Sequence, residues 1–171
     1  MTDVEGNVNT NSRPSELRIT DMRICDVRSD PLRGLILRLD TNQGISGYGD
    51  IRDGGSKTYG LLLKSRILGE NPCDVDRIFR SIKQFGHHAR QGGGVCAIEM
   101  ALMDLAGKAY GVPAYQLAGG KFRDKILCYC DTPSVSDGRQ MGQRLKERMD
   151  SGYKFLKMDV GIGLLRDIPA T

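Results

Sequence analysis

Tryptophan is absent from this 171-residue chain, histidine occurs twice, and aromatic residues make up only 6%. No Lys/Arg block stands anywhere, and 25 basic against 21 acidic residues leave a net charge of +4. A nucleic-acid-binding face is therefore not expected. No apolar run approaches the ~20 residues that a membrane helix needs. The polar stretch 1–15 has no apolar h-region, so neither a membrane partner nor a secretory signal is expected, and the location expected is cytoplasmic. Cysteine is odd in number: Cys25, Cys73, Cys96, Cys128 and Cys130. Without a secretory signal these read as reduced thiols, packed as small buried apolar side chains. Cys128 and Cys130 form C-x-C, and no second Cys/His pair stands at zinc-site spacing, so no structural metal site is expected. What remains, 39% apolar and 27% charged residues, is the composition of a globular protein of one domain or a little more.

The order of elements changes once along the chain. Residues 1–15, rich in Asn, Ser, Thr and Gly, read as a loose tail. Leu17, Ile19, Met22, Ile24 and Val27 then give a strand, and Gly34-Leu35-Ile36-Leu37-Arg38-Leu39-Asp40 a second. Thr41-Asn42-Gln43-Gly44 is a hairpin turn, where Asn and Gly supply the backbone angles required. Residues 45–51 return as a third strand. A helix capped by Ser56 stops at Gly69. A second opens at Asn71-Pro72 and carries Val75, Ile78, Phe79, Ile82 and Phe85 on one face. The third is the clearest, with Val95, Ile98, Leu102, Leu105 and Ala109 closed by Gly111 and Pro113. After Gly120 the pattern becomes strand, helix, strand. Residues 126–130 read as a buried strand, Ser136 caps a helix with Met141, Leu145 and Met149, and residues 154–161 read as the returning strand, a βαβ unit.

Side chains alternate along a strand. In the last strand Leu156, Met158 and Val160 share one face, and Lys157 and Asp159 share the other. A parallel strand covered on both faces is apolar on both, so two ionisable groups near its carboxyl end point to chemistry there. A Lys–Asp pair capping the strand end at solvent is the alternative.

Four ordered segments carry a resemblance. They are Gly44-Ile45-Ser46-Gly47-Tyr48-Gly49-Asp50; the helix Ala97-Ile98-Glu99-Met100-Ala101-Leu102-Met103-Asp104-Leu105-Ala106-Gly107-Lys108-Ala109-Tyr110-Gly111-Val112-Pro113; Gln116-Leu117-Ala118-Gly119-Gly120-Lys121; and Gly152-Tyr153-Lys154-Phe155-Leu156-Lys157-Met158-Asp159-Val160-Gly161. Together they resemble the mandelate racemase/muconate-lactonizing enzyme branch of the enolase superfamily. The resemblance implies an α+β capping domain, an antiparallel meander plus helices, followed by the start of a (β/α)7β modified TIM barrel. The organisation expected is a flexible tail at 1–15, the capping domain at 16–125, and the first, incomplete βαβ of the barrel at 126–171. A complete barrel takes about 250 residues, so the chain is expected to stop after about two strands.

The family reaction abstracts a proton α to a carboxylate, with Mg²⁺ stabilising the charge that forms. The resemblance places the Mg²⁺ ligands on later barrel strands, beyond Thr171, so no metal ligand is expected in this chain and the chain alone is expected to be inactive. Lys157 matches the first position of the family's Lys-x-Lys pair. Asp159 stands at the second, where the family base is usually Lys. A carboxylate beside Lys157 favours its ammonium form, the wrong direction for a base. Lys157 and Asp159 are thus the catalytic candidates, with Lys157 an electrostatic contact to the substrate carboxylate. The resemblance places substrate-shaping loops at residues 29–34 and 51–56. Arg33, Arg52 and Asp53 in these loops, with His87 and His88, are the substrate-binding candidates. Asp104, inside the helix motif, is expected to touch the capping sheet. The activity expected is dehydration of an acid sugar by a full-length homo-oligomer. The alternatives are a racemase or cycloisomerase of the same branch, and a non-catalytic capping-domain interaction module.

Overall fold

The computed structural model describes residues 12–29, 32–51, 55–86 and 94–159. The chain divides into two compact units, Met1–Lys121 and Phe122–Thr171. In the first, strands β1 (Ile19–Ser29), β2 (Leu32–Thr41) and β3 (Ser46–Ile51) form an antiparallel sheet in the order β1-β2-β3. Alternation buries Met22 and Ile24, Leu35, Leu37 and Leu39, and Ile51 on one face. Ile19 joins them although it lies an odd number of residues from Met22. A register shift between Ile19 and Asp21 makes up the difference, as a β-bulge does. The hairpin turns where expected: Gly44 has φ 80 and its N–H donates to the Thr41 carbonyl at 3.3 Å.

The helices lie in the order α1 (Lys57–Leu62), α2 (Lys64–Ile67), α3 (Val75–Ile82), α4 (Val95–Tyr110) and α5 (Ala114–Leu117). Ser56 caps α1 as expected, its hydroxyl accepting from the Tyr59 N–H at 3.2 Å. The single helix expected here is broken at Leu63. The second helix starts at Val75, later than expected. Asn71 Oδ1 accepts from the Cys73 N–H at 3.0 Å, and this Asx turn holds Asn71-Pro72-Cys73 out of the helix. Gly111, φ 70, closes α4, where the Val112 N–H reaches the Gly107 carbonyl at 2.9 Å.

Helix α4 lies against the sheet, and two glycines set how close it comes. A Cβ built on Gly49 would fall onto the Ala97 carbonyl, and one on Gly47 onto the Ala101 carbonyl. The two pairs match because two strand residues span about 6.7 Å and four helical residues about 6 Å. Ile98, Ala101, Leu102 and Leu105 are fully buried beside them. Each such Leu or Ile contributes roughly 1.5–3 kcal/mol relative to exposure.

Of the expected tail, residues 1–11 lie outside the described residues, but Pro14–Glu16 form a 3-10 turn rather than a loose end. Side-chain amides hold this segment. Asn42 Nδ2 donates to the Glu16 carbonyl and Asn42 Oδ1 accepts from the Arg18 N–H, at 3.0 and 2.8 Å. Gln43 exchanges both of its bonds with the Arg13 backbone, at 2.8 and 3.0 Å. Asn71 Nδ2 donates to the Pro14 carbonyl at 2.9 Å.

The second unit is a parallel pair, β4 (Cys130–Thr132) and β5 (Leu156–Met158), joined by α6 (Gly138–Asp150), which packs on both strands. The βαβ unit is present, but three details differ from expectation. The strand expected at 126–130 begins only at Cys130, and Ile126 and Leu127 are each 73% exposed. Among the described residues they have no facing strand, and apolar character alone does not make a strand without a ladder partner. The cap of α6 is Asp137, not Ser136: its Oδ1 accepts from the N–H groups of Arg139 and Gln140 at 2.7 and 3.0 Å. A carboxylate there also complements the positive end of the helix. Finally, the returning strand expected at 154–161 is seen, among the described residues, only at Leu156–Met158. The cysteines expected as buried side chains are not buried: Cys25, Cys96 and Cys128 are exposed, and Cys73 and Cys130 are partly covered.

Candidate active site

The parallel register of β4 and β5 places Asp131 opposite Lys157. Two residues on, just past the carboxyl end of β5, Asp159 returns to the side of Lys157, as the alternation of an extended chain favours. The Lys157 ammonium stands between the two carboxylates, 3.3 Å from Oδ1 of Asp131 and 3.3 Å from Oδ1 of Asp159. The Tyr129 ring centroid lies 5.9 Å from Nζ.

Hydrogen bonding to Asp159, then to Asp131, raises the Lys157 pKa above its ordinary value, and the smaller effect of desolvation does not reverse this. The ion pairs of a group shifted upward are intact below its ordinary value of 10.5 and are lost as pH rises past the raised one. Around neutrality Lys157 is therefore an ammonium. It can stabilise negative charge and donate hydrogen bonds, but it cannot accept a proton. All three side chains are well exposed, so the cluster adds little to stability.

Asp131 is the member of this cluster that sequence reasoning missed. With the strand set at 126–130 it falls just past the strand end. With the strand at Cys130–Thr132 it becomes the cross-strand neighbour of the Lys-x-Asp pair. Of the substrate-binding candidates, Arg33 lies within β2 in register with Arg28, not in a loop as expected, because the hairpin continues pairing to Ser29 and Leu32. Arg52, Asp53, His87 and His88 lie outside the described residues.

Asp104 contacts the sheet as expected. Its Oδ2 accepts from the Tyr48 backbone N–H at 3.0 Å and from Lys108 Nζ at 2.7 Å. A shallow cleft of about 550 Å³ opens beside Tyr48, between Arg38 and Lys108. Both cations are engaged by carboxylates, Arg38 by Asp40 at 2.7 Å and Lys108 by Asp104 at 2.7 Å, so the cleft offers no free acid–base pair. Among the described residues no group of three or more His, Cys, Asp or Glu gathers in a way that would hold a metal ion. No helix among them is long and apolar enough to cross a membrane.

Comparison with known proteins agrees with this architecture. The model of the mandelate racemase / muconate lactonizing enzyme N-terminal domain matches residues 7–119. D-xylonate dehydratase of Haloferax volcanii is 33% identical over 159 residues, which cover 84% of this chain and 38% of that protein. D-galactonate dehydratase of Pectobacterium atrosepticum is 34% identical over 142 residues, 75% of this chain and 35% of that one. The crystal structure of an enolase superfamily member from Salmonella Typhimurium matches with a TM-score of 0.70 and 29% identity, over 84% of this chain and 42% of that chain. The chain spans less than half the length of each of these relatives. With its three-stranded meander, its glycine-spaced contact with α4 and its match to that N-terminal domain, the chain belongs to the mandelate racemase/muconate lactonizing enzyme branch of the enolase superfamily.

Proposed function

We propose that this chain is the N-terminal part of an acid-sugar dehydratase. The reaction would remove the proton α to the substrate carboxylate and expel the β-hydroxyl, with a proton, as water, to give a 2-keto-3-deoxy acid. The substrate class is supported by relatives named for D-xylonate and D-galactonate dehydration. The observation that carries the choice within the branch is Lys157 held between Asp131 and Asp159. A lysine base needs a pKa brought down toward 7, and here both neighbours push it up. Racemisation needs a base on each face of the α-carbon, whereas dehydration can proceed with one. We assign Lys157 the role of a fixed cation toward the substrate and leave the base to the part of the enzyme that lies outside this chain.

Mg²⁺, which the family relationship implies, would supply charge stabilisation for the enolised acid. The described residues offer no carboxylate set to hold it, so no step is assigned to it in this chain. Arg33, Arg52, Asp53, His87 and His88 are proposed as substrate contacts from the capping domain, and a homo-oligomer is proposed for the full-length enzyme.

The test is incubation of the full-length protein with a panel of aldonic and aldaric acids in D₂O. Formation of a 2-keto-3-deoxy acid is the expected result. Deuterium incorporation with loss of configuration and no keto acid would instead identify a racemase.

A further inference from the structure

Lys157 lies on β5 and Asp159 immediately follows its last residue, and a Lys-x-Asp pair alone would leave a lysine side chain free to swing toward solvent. Asp131 changes this, because it reaches the same ammonium from the neighbouring strand. Lys157 Nζ donates to Asp131 Oδ2 at 3.3 Å and stands at the same distance, 3.3 Å, from Asp159 Oδ1. Among the described residues, Asp131 and Asp159 are the charged groups within ion-pair distance of Lys157, and Tyr129 is the titratable ring facing it. Helix α6, the other element packed on β5, brings it no ion-pair partner. An ammonium has three N–H donors. Two directions are taken by the carboxylates on either side, and the third is left for a ligand oxygen.

We propose that Asp131 is a positioning residue, which together with Asp159 clamps the Lys157 ammonium at the carboxyl end of β5 as a fixed cation with one donor free for an oxygen of the acid substrate. The last clause rests on the proposed function; the clamp itself does not. Removing the Asp131 charge leaves Asp159 as the one carboxylate against Lys157, so the lysine both loosens and gives up its proton more readily. Glutamate at the same position restores the charge.

The clamp is tested on the 171-residue chain, without substrate, by ¹³C NMR of ε-labelled lysines across the alkaline range. The Lys157 midpoint should move down in Asp131→Asn, return toward its starting value in Asp131→Glu, and move furthest in the Asp131→Asn/Asp159→Asn double variant. Lys146, which pairs with Asp150 on α6, should not move in any of them and serves as the internal reference. An unchanged Lys157 midpoint in Asp131→Asn would overturn the clamp. If that variant does not fold, the unsubstituted chain decides: the Lys157 ammonium should exchange its protons with solvent more slowly than that of Lys146, and equal or faster exchange overturns it. Neither readout involves turnover. Failure of the clamp therefore leaves the dehydratase reading standing, and absence of dehydratase activity leaves the clamp standing.

Discussion

Asp104 Oδ2 accepts a hydrogen bond from the backbone N–H of Tyr48 at 3.0 Å, so a carboxylate from the middle of α4 satisfies a donor on the edge strand β3. Lys108, one turn along the helix, ties the same carboxylate to the Ser46 carbonyl, donating to each at 2.7 and 2.8 Å. An open edge otherwise presents unpaired backbone groups. Asp104→Ala should destabilise the chain by about 0.5–1.5 kcal/mol and speed hydrogen exchange at the Tyr48 amide. Asp104→Asn keeps an acceptor and should keep most of that protection. Urea unfolding and amide exchange read the two effects separately, and equal exchange in all three proteins would contradict this account.

Gly49 meets the Ala97 carbonyl with no room for a Cβ. Gly49→Ala should therefore cost about 1–3 kcal/mol, as overpacking does. Ala97→Gly should not rescue it, because the obstacle is main chain. Gly44→Ala makes a useful contrast. Space there is open, but φ is +80, so its cost should come from backbone strain of roughly 1–2 kcal/mol and should be relieved by Asn. Thermal unfolding of the three variants and the double variant checks both claims.

Asp40 gives a dependence on acid. Burial pushes its pKa up, but hydrogen bonds from Arg23, Ser46 and Arg38 together outweigh burial and hold it below the ordinary carboxylate value. The stability contributed by a group shifted downward is present above its unfolded pKa of about 3.9 and is lost as pH falls through the lower folded value. Asp40→Asn should be less stable than the parent near neutrality, and the difference should shrink as pH falls below about 4. A difference that stays constant from neutral to acid would show that Asp40 acts through packing instead.

If the full-length protein is the dehydratase proposed above, Lys157→Met should lower its turnover and weaken binding of the acid, as expected of a group that stabilises charge in both ground and transition states. Exchange of the substrate α-proton should remain detectable, because the proposal makes the lysine held by Asp131 and Asp159 a fixed cation and leaves the base elsewhere. Complete loss of exchange with unchanged binding would make Lys157 the base after all.

Local chemistry was legible in the sequence. Gly44, Ser56 and Gly111 are legible because a turn or cap depends on a residue and its near neighbours. The G-x-G of β3 was visible as a motif, but its cause, the carbonyls of Ala97 and Ala101, lies some fifty residues away and becomes visible only once the helix is docked. Asp131 was missed for a related reason. Apolar character drew the strand onto Ile126 and Leu127, while the ladder with β5 forms from Cys130 onward. The amides of Asn42, Gln43 and Asn71 leave no periodic signal, so the sequence shows Arg13, Pro14 and Ser15 as tail although Gln43 and Asn71 hold their backbone.

The contact between β3 and α4 also sets how this unit tolerates changes in length. Two points of contact, Gly47 on Ala101 and Gly49 on Ala97, work like the teeth of a key. A one-residue slip of the strand would present Tyr48 and Asp50 to the helix backbone in place of the two glycines. A single insertion between Ala97 and Ala101 would turn the second point about 100° away from the first. Length variation is therefore expected to collect in the connections on either side of β3 and α4 and to stay out of residues 47–49 and 97–101, where even a neutral side chain in the wrong phase jams the lock.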